Sequence, residues 1–293
     1  MRPTLLSIHD VPFLGDLYFH SYTVMMAIAF VVCTLLAVRE NYKLEHPFPI
    51  TPIAGIWIAL AGRVGAHAWW ILQYRDTYEP LWGRKIHLYE SFYIWHPGLV
   101  FYGGLVGGLG AAMLYMIVNR VPLLPVGDIC MPYLPLGIAI TRVGCFLNGC
   151  CWGRVTDVPW AIAFPRGSHV YKAHLEEHLI DSLATASLPV HPTPLYSIAG
   201  LLIVFFVMRH AYKRPHPVGS ILLLFPLLYG AMRFATEALR GDSPRPYMAM
   251  TLSQVVSLAL IALAALAYLY LYLYRWRVRE KDPSTEDEEE STA

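Results

Sequence analysis

The sequence predicts an all-α polytopic membrane protein with about seven transmembrane helices and a small extramembrane region. Three observations carry this expectation. Charged residues make up only 15% of the 293-residue chain, against about 25% in average soluble domains. Hydrophobic residues reach 56%, and the mean hydropathy is positive. Long apolar windows recur at about 17–38, 50–72, 98–118, 123–147, 195–209, 218–236 and 250–274. Each is about long enough to cross a ~30 Å hydrocarbon core as a helix. Lipid offers no partner for free backbone groups, so closed helices are the expected solution. A net charge of +1 gives no electrostatic basis for binding nucleic acid.

Taken in order, the opening MRPTLLSIHDVPFLGD is mixed and carries acids. The apolar run behind it outlasts the hydrophobic region of a signal peptide, so it reads as a retained first span. The second window contains Arg63, and the third begins in the glycine-rich PGLVFYGGLVGGLG. Between them, residues 73–97 form a polar, aromatic-rich outer segment. The fourth and fifth windows are interrupted or bordered by Pro132, Pro135 and Pro194. Residues 153–194 form the extramembrane region. There GRVTDVPWAIAFP reads as the lead of a strand pair and HLEEHLIDSL as a short amphipathic helix, with Pro and Gly marking turns. The flanks LYLYRW and WHP read as interfacial anchors. Residues 1–280 thus form one transmembrane domain, and the acidic stretch 281–293 reads as a disordered tail. No internal repeat is visible.

Lysine and arginine in short loops set orientation. Arg39, Lys43, Arg120, Arg209, Lys213 and Arg214 gather on one side, together with the basic residues that follow the last window. The other side has longer loops, and its basic residues are spread thin. This predicts an outside N-terminus and a cytoplasmic C-terminus.

Three arginines fall inside apolar runs: Arg63, Arg142 and Arg233. A charge at membrane depth is costly and marks function unless it snorkels or pairs. Glu237 lies four residues after Arg233, the spacing for a pair on one helix face. The sequence places no acid at that spacing from Arg63 or Arg142. A lipid phosphate fits them, because the guanidinium fork meets phosphate bidentately. Tyr22, Tyr102 and Tyr229 lie at matching depth, where a tyrosine serves as an anchor or orients a phosphate. The nearby glycines read first as close helix packing. Cys145, Cys150 and Cys151 have the spacing C-x4-C-C, with His191 a conceivable further ligand. Three readings stay open for them: small buried hydrophobes, a disulfide, or metal ligands.

The segment TRVGCFLNGCCWG followed by PWAIAFP resembles the signature of the prolipoprotein diacylglyceryl transferase family. HSY (20–22), AGRVG (61–65), FYGGLVGG (101–108), HPTPLY (191–196), YGAMRFATEALRGD (229–242) and LSQ (252–254) resemble further landmarks in the same order. The sequence departs from the family's best-known form at Tyr102 (His), Cys145 (Asn), Cys150 (Glu), Pro194 (Gln) and Ser197 (Glu). The resemblance implies transfer of a diacylglyceryl group from phosphatidylglycerol to a prolipoprotein lipobox cysteine in the bacterial inner membrane, with release of glycerol 1-phosphate. It implies no metal and no organic cofactor. The implied catalytic residues are Arg142, Arg233, Tyr102 and Tyr229. The implied headgroup residues are Arg142, Arg63, Tyr22, Asn148, Gly153, Glu237 and Arg240. Two alternatives remain at this stage: the same scaffold with another thiol or hydroxyl acceptor, or a membrane protein that uses the cysteine cluster for disulfide or metal chemistry.

Overall fold

In the computed structural model, residues 4–11, 15–82, 86–92, 100–242 and 250–281 are described. The WHP flank and the tail beyond Lys281 lie outside them. Nine α-helices occur among these residues: α1 Ser21–Asn41, α2 Pro52–Trp82, α3 Phe101–Val118, α4 Leu123–Cys130, α5 Leu134–Asn148, α6 His169–Glu176, α7 Thr193–Tyr212, α8 Ser220–Ala238 and α9 Leu252–Lys281. Among the described residues, five helical segments are long and apolar enough to cross a membrane. They are Ser21–Asn41, Leu123–Asn148, Thr193–Tyr212, Ser220–Ala238 and Leu252–Leu273. The expected third span appears as the shorter apolar helix Tyr102–Val118, and the second lies within the more polar α2. The chain is therefore a helical multi-pass membrane protein.

An element the sequence did not announce precedes α1. Strands β1 (Thr4–Val11) and β2 (Gly15–His20) pair antiparallel, with Thr4 opposite His20 and Val11 opposite Gly15. The first helix accordingly starts at Ser21 rather than near residue 17.

The fold divides into two compact units. The smaller, Thr34–Val126, rests on the pairing of α2 with α3. Glycines make the seam: a Cβ on Gly65 would lie 2.5 Å from the Gly103 carbonyl oxygen, and one on Gly107 2.5 Å from that of Ala61. This is the small-residue helix contact that the glycine-rich run predicts.

The larger unit holds Met1–Cys33 and Gly127–Ala293. Its expected proline interruption is a turn of 3-10 helix at Met131–Tyr133, after which α5 starts with Pro135 in its first turn. Proline there is tolerated because the first helical N–H groups have no intrahelical partner. Pro194 sits likewise in the first turn of α7. Asp128 of α4 caps α8 from outside, accepting the backbone N–H groups of Gly219 and of Leu222 (2.8 Å). α9 starts in a reciprocal box: Thr251 N–H donates to Gln254 Oε1 (3.0 Å), and Gln254 N–H donates to Thr251 Oγ1 (3.2 Å).

In the extramembrane region, the expected strand pair is reduced to isolated bridges, Val155 with Val190, Ile162 with Val190 and Pro165 with Ala186. Phe164, Val170 and Val190 form its buried core, packed by Trp152 and Ile162. The short helix lies earlier than expected. The Ser168 hydroxyl accepts the Tyr171 N–H and starts α6, and His178 with φ 56° closes its C-terminal turn.

Candidate active site

The site is built where α5 ends. Arg142 lies in its last two turns, and Gly144 two residues on lets α1 approach: a Cβ there would meet the Tyr22 Cα at 2.9 Å and the Met25 Cβ at 3.1 Å. Gly149 closes the helix in the left-handed region with φ 70°. The chain then folds back, and the Cys150 N–H donates to the Cys145 carbonyl at 3.1 Å. That reversal gathers the sulfurs of Cys145, Cys150 and Cys151 within 4.8 Å of one another. All three are free thiols. Cys151 has φ 62°, and the Thr193 hydroxyl donates to its carbonyl.

Arg142 faces this cluster. Its Nη1 donates toward Cys151 Sγ at 3.6 Å and toward Cys145 Sγ at 3.9 Å. Among the described residues it forms no ion pair with a carboxylate. Arg240, Tyr229 and Tyr22 lie within its electrostatic reach. The Cys151 thiol is pulled well below the usual thiol range. Hydrogen bonds from Cys145 and Cys150 are the main cause, and the Arg142 and Arg240 charges add to them. Cys150, by contrast, is pushed up by its hydrogen bonds to Cys145 and Cys151 and by burial.

The C-terminal end of α8 and the residues just after it supply the second half. Arg233 Nη2 sits 2.7 Å from Glu237 Oε2, the pair that the four-residue spacing predicts, and also donates to Ser253 Oγ at 3.2 Å. Arg240 Nη1 reaches the same carboxylate oxygen at 3.4 Å, while its Nε and Nη2 grip Asp242 bidentately at 2.8 Å each. Burial works against the Arg240 charge, but the bonds to Asp242 outweigh it and raise its pKa. Glu237 is fully buried, and among the described residues its Oε1 has no hydrogen-bond partner. Tyr229, one turn before Arg233, stacks on Phe225 with ring centroids 5.2 Å apart. Among the described residues, Arg233 and Arg240 thus meet the two carboxylates of Glu237 and Asp242, and Arg142 meets none.

Gly153 joins the halves. It bridges Arg240 as an antiparallel pair, and its N–H donates to the His191 carbonyl at 2.9 Å. Any Cβ there would lie 2.5 Å from the His191 Cβ and 2.9 Å from the Leu239 carbonyl oxygen, so only glycine fits. Asn148 is the last residue of α5, one position before the turn.

Of the residues expected from sequence, Arg142, Tyr22, Asn148, Gly153, Tyr229, Arg233, Glu237 and Arg240 belong to the larger unit. Arg63 on α2 and Tyr102 on α3 belong to the smaller one. Sequence reasoning missed Asp242, Ser253 and Thr193. Asp242 was legible as the acid two residues after Arg240. Ser253 and Thr193 reach their partners only through tertiary packing. Gln254, read as a landmark, spends its side chain on capping α9.

The fold and this centre define a polytopic helical membrane protein with a cationic, thiol-bearing site set at helix ends. Residues 11–270 match the family model described as prolipoprotein diacylglyceryl transferase. The chain belongs to the prolipoprotein diacylglyceryl transferase family. Its similarity to individual members is of the same kind. It is 31% identical to the phosphatidylglycerol–prolipoprotein diacylglyceryl transferase of Bordetella parapertussis, over 78% of this chain and 80% of that one. It is 31% identical to the protein of the same name from Photorhabdus laumondii, over 85% and 87%. With that from Cupriavidus pinatubonensis it shares 34% identity over 70% and 66%.

Proposed function

We propose that this protein transfers the diacylglyceryl group of phosphatidylglycerol to the lipobox cysteine thiol of prolipoproteins and releases glycerol 1-phosphate. The observation that carries the reading is the partly buried guanidinium of Arg142, which among the described residues has no carboxylate partner and lies beside a network in which Arg233 and Arg240 already hold Glu237 and Asp242. A partly buried cation without a carboxylate partner has an unmet demand, and a phosphodiester supplies one negative charge.

In the reaction, the acceptor sulfur attacks the terminal carbon of the diacylglyceryl unit. The carbon–oxygen bond to phosphate breaks, and the bonding pair stays on the leaving phosphate. Negative charge therefore grows on phosphate oxygens as the bond breaks. Arg142 and Arg233 are held in place to receive it, and Arg240 adds supporting charge. Donors fixed before the reaction stabilise such charge without reorganisation, by about 3–4 kcal/mol each. Tyr22, Tyr229 and Asn148 orient the headgroup. The unpartnered Oε1 of Glu237 suits a hydroxyl of the headgroup glycerol. The arginine charges favour the thiolate form of the acceptor, whose proton passes to solvent. The basic residues Arg39, Lys43, Arg120, Arg209, Lys213 and Arg214 support a cytoplasmic C-terminus and an outer-facing site in the inner membrane.

The test uses purified protein, phosphatidylglycerol and a lipobox peptide. The reading expects a diacylglyceryl thioether on the cysteine peptide and stoichiometric glycerol 1-phosphate. A serine peptide should give neither. Absence of thioether from the cysteine peptide would refute the reading, and equal modification of the serine peptide would reassign the acceptor.

A further inference from the structure

We propose that Cys145, Cys150 and Cys151 form a three-thiolate site for a thiophilic d10 cation, Zn(II), with a fourth position open to an incoming thiol. The resemblance to the family implies no metal, so this site would be a property of the cysteines this chain carries.

Three independent features point to it. The first is distance. Zinc–sulfur bonds of about 2.3 Å place tetrahedral thiolates roughly 3.8 Å apart, and the three sulfurs already lie within 4.8 Å of one another. The second is charge. Three thiolates and a dication leave one net negative charge, and Arg142 Nη1 stands 3.6 and 3.9 Å from two of the sulfurs as donor and counter-charge. Hydrogen bonds of this kind orient metal-bound ligands. The third is backbone. Cys151 occupies the left-handed region without being glycine, held by Thr193 through its carbonyl. Such conformations persist where surroundings over-determine them, as at ligand clamps.

The ligand count decides the type of site. Among the described residues, no fourth Cys, His, Asp or Glu joins the group. His191 Nδ1 is instead 3.2 Å from the Tyr196 hydroxyl. Closed structural zinc sites take four protein ligands, whereas three protein ligands leave one position for an exchangeable group. If the transfer reaction is as proposed above, that group is the lipobox thiol. Coordination strips its proton to solvent. The sulfur lone pair then forms the bond to the glyceryl carbon, the carbon–oxygen bond breaks, and the pair stays on phosphate beside Arg142. The metal keeps its oxidation state, and the product thioether is a weaker ligand that leaves.

The test begins with metal-free, reduced, full-length protein titrated with Co(II) and then Zn(II). Wild type should bind about one equivalent of Co(II) with a thiolate charge-transfer band, bleached by Zn(II). Cys151→Ser and the triple serine variant should lose the band, and Cys130→Ser, outside the cluster, should keep it. No band in wild type, or a band retained in the triple variant, overturns the site. So does a thiol count two short that reductant restores, which would mean a disulfide. In a second arm, a lipobox cysteine peptide should shift the Co(II) spectrum and a serine peptide should not. Zn(II)-loaded protein should transfer at least about tenfold faster than metal-free protein. Equal transfer by both forms overturns the open-position role and leaves the transfer reaction standing. No transfer by either form, with the Co(II) band intact, overturns the transfer reaction and leaves the metal site.

Discussion

Replacing Glu237 by glutamine removes the one buried carboxylate that two partly buried guanidinium groups share. At an effective dielectric of about 20, charges at the observed 2.7 Å and 3.4 Å attract by about 6 and about 5 kcal/mol before desolvation is counted. Much of that offsets the cost of burying the ions. Removing one member of a buried pair costs about 3–5 kcal/mol, because the partner's charge stays buried. The low end applies here. Arg240 keeps its fork on Asp242, Arg233 keeps Ser253, and glutamine preserves shape and one acceptor. A loss of about 3 kcal/mol should lower the thermal midpoint in detergent by roughly 6–12 °C. Glu237→Ala should lose at least as much. A midpoint within about 2 °C of wild type for Glu237→Gln would refute the view that this carboxylate holds the arginine pair.

Other perturbations separate the parts. Gly153→Ala drives a methyl into the His191 and Leu239 backbones. It should cost more than about 2 kcal/mol in thermal stability and weaken lipid binding through displaced Arg240; unchanged stability would mean that the close approach is not rigid. Asp128→Ala strips the start of α8 of its external cap and should destabilise by about 1–3 kcal/mol, read by thermal unfolding. His174 is buried, and burial holds its pKa below the usual value. The folded state therefore resists a proton that the unfolded state accepts. Stability is fully present above about pH 6.5 and falls as pH drops below it. Limited proteolysis should cut residues 153–194 faster at pH 5 than at pH 7.5, and His174→Gln should flatten that difference.

What the sequence made legible was whatever depends on local spacing. Apolar run length located the helices, and the four-residue interval between Arg233 and Glu237 foretold their pair. Pro132 and Pro135 marked the break between α4 and α5. Features made by chain reversal or distant packing were not legible. The N-terminal hairpin rests on pairing across a turn within a stretch of mixed composition. The C-x4-C-C spacing leaves open whether three sulfurs converge. They do so because Gly149 reverses the chain and Thr193, far along the sequence, fixes the Cys151 carbonyl. Ser253 reaches Arg233 only because α9 packs on α8. The start of α6 was misplaced because a single hydroxyl at Ser168 outweighed the amphipathic pattern that follows it.

The proposed transfer rests on Arg142 holding the phosphate of the lipid donor as its bond to the glyceryl carbon breaks. The most direct measurement is the rate of diacylglyceryl transfer from labelled phosphatidylglycerol to a lipobox peptide by Arg142→Ala, in protein shown by thermal unfolding to be folded. Turnover should fall by about a hundredfold or more, with Arg142→Lys recovering only part of it because the fork is gone. Turnover by Arg142→Ala within a few-fold of wild type would contradict it.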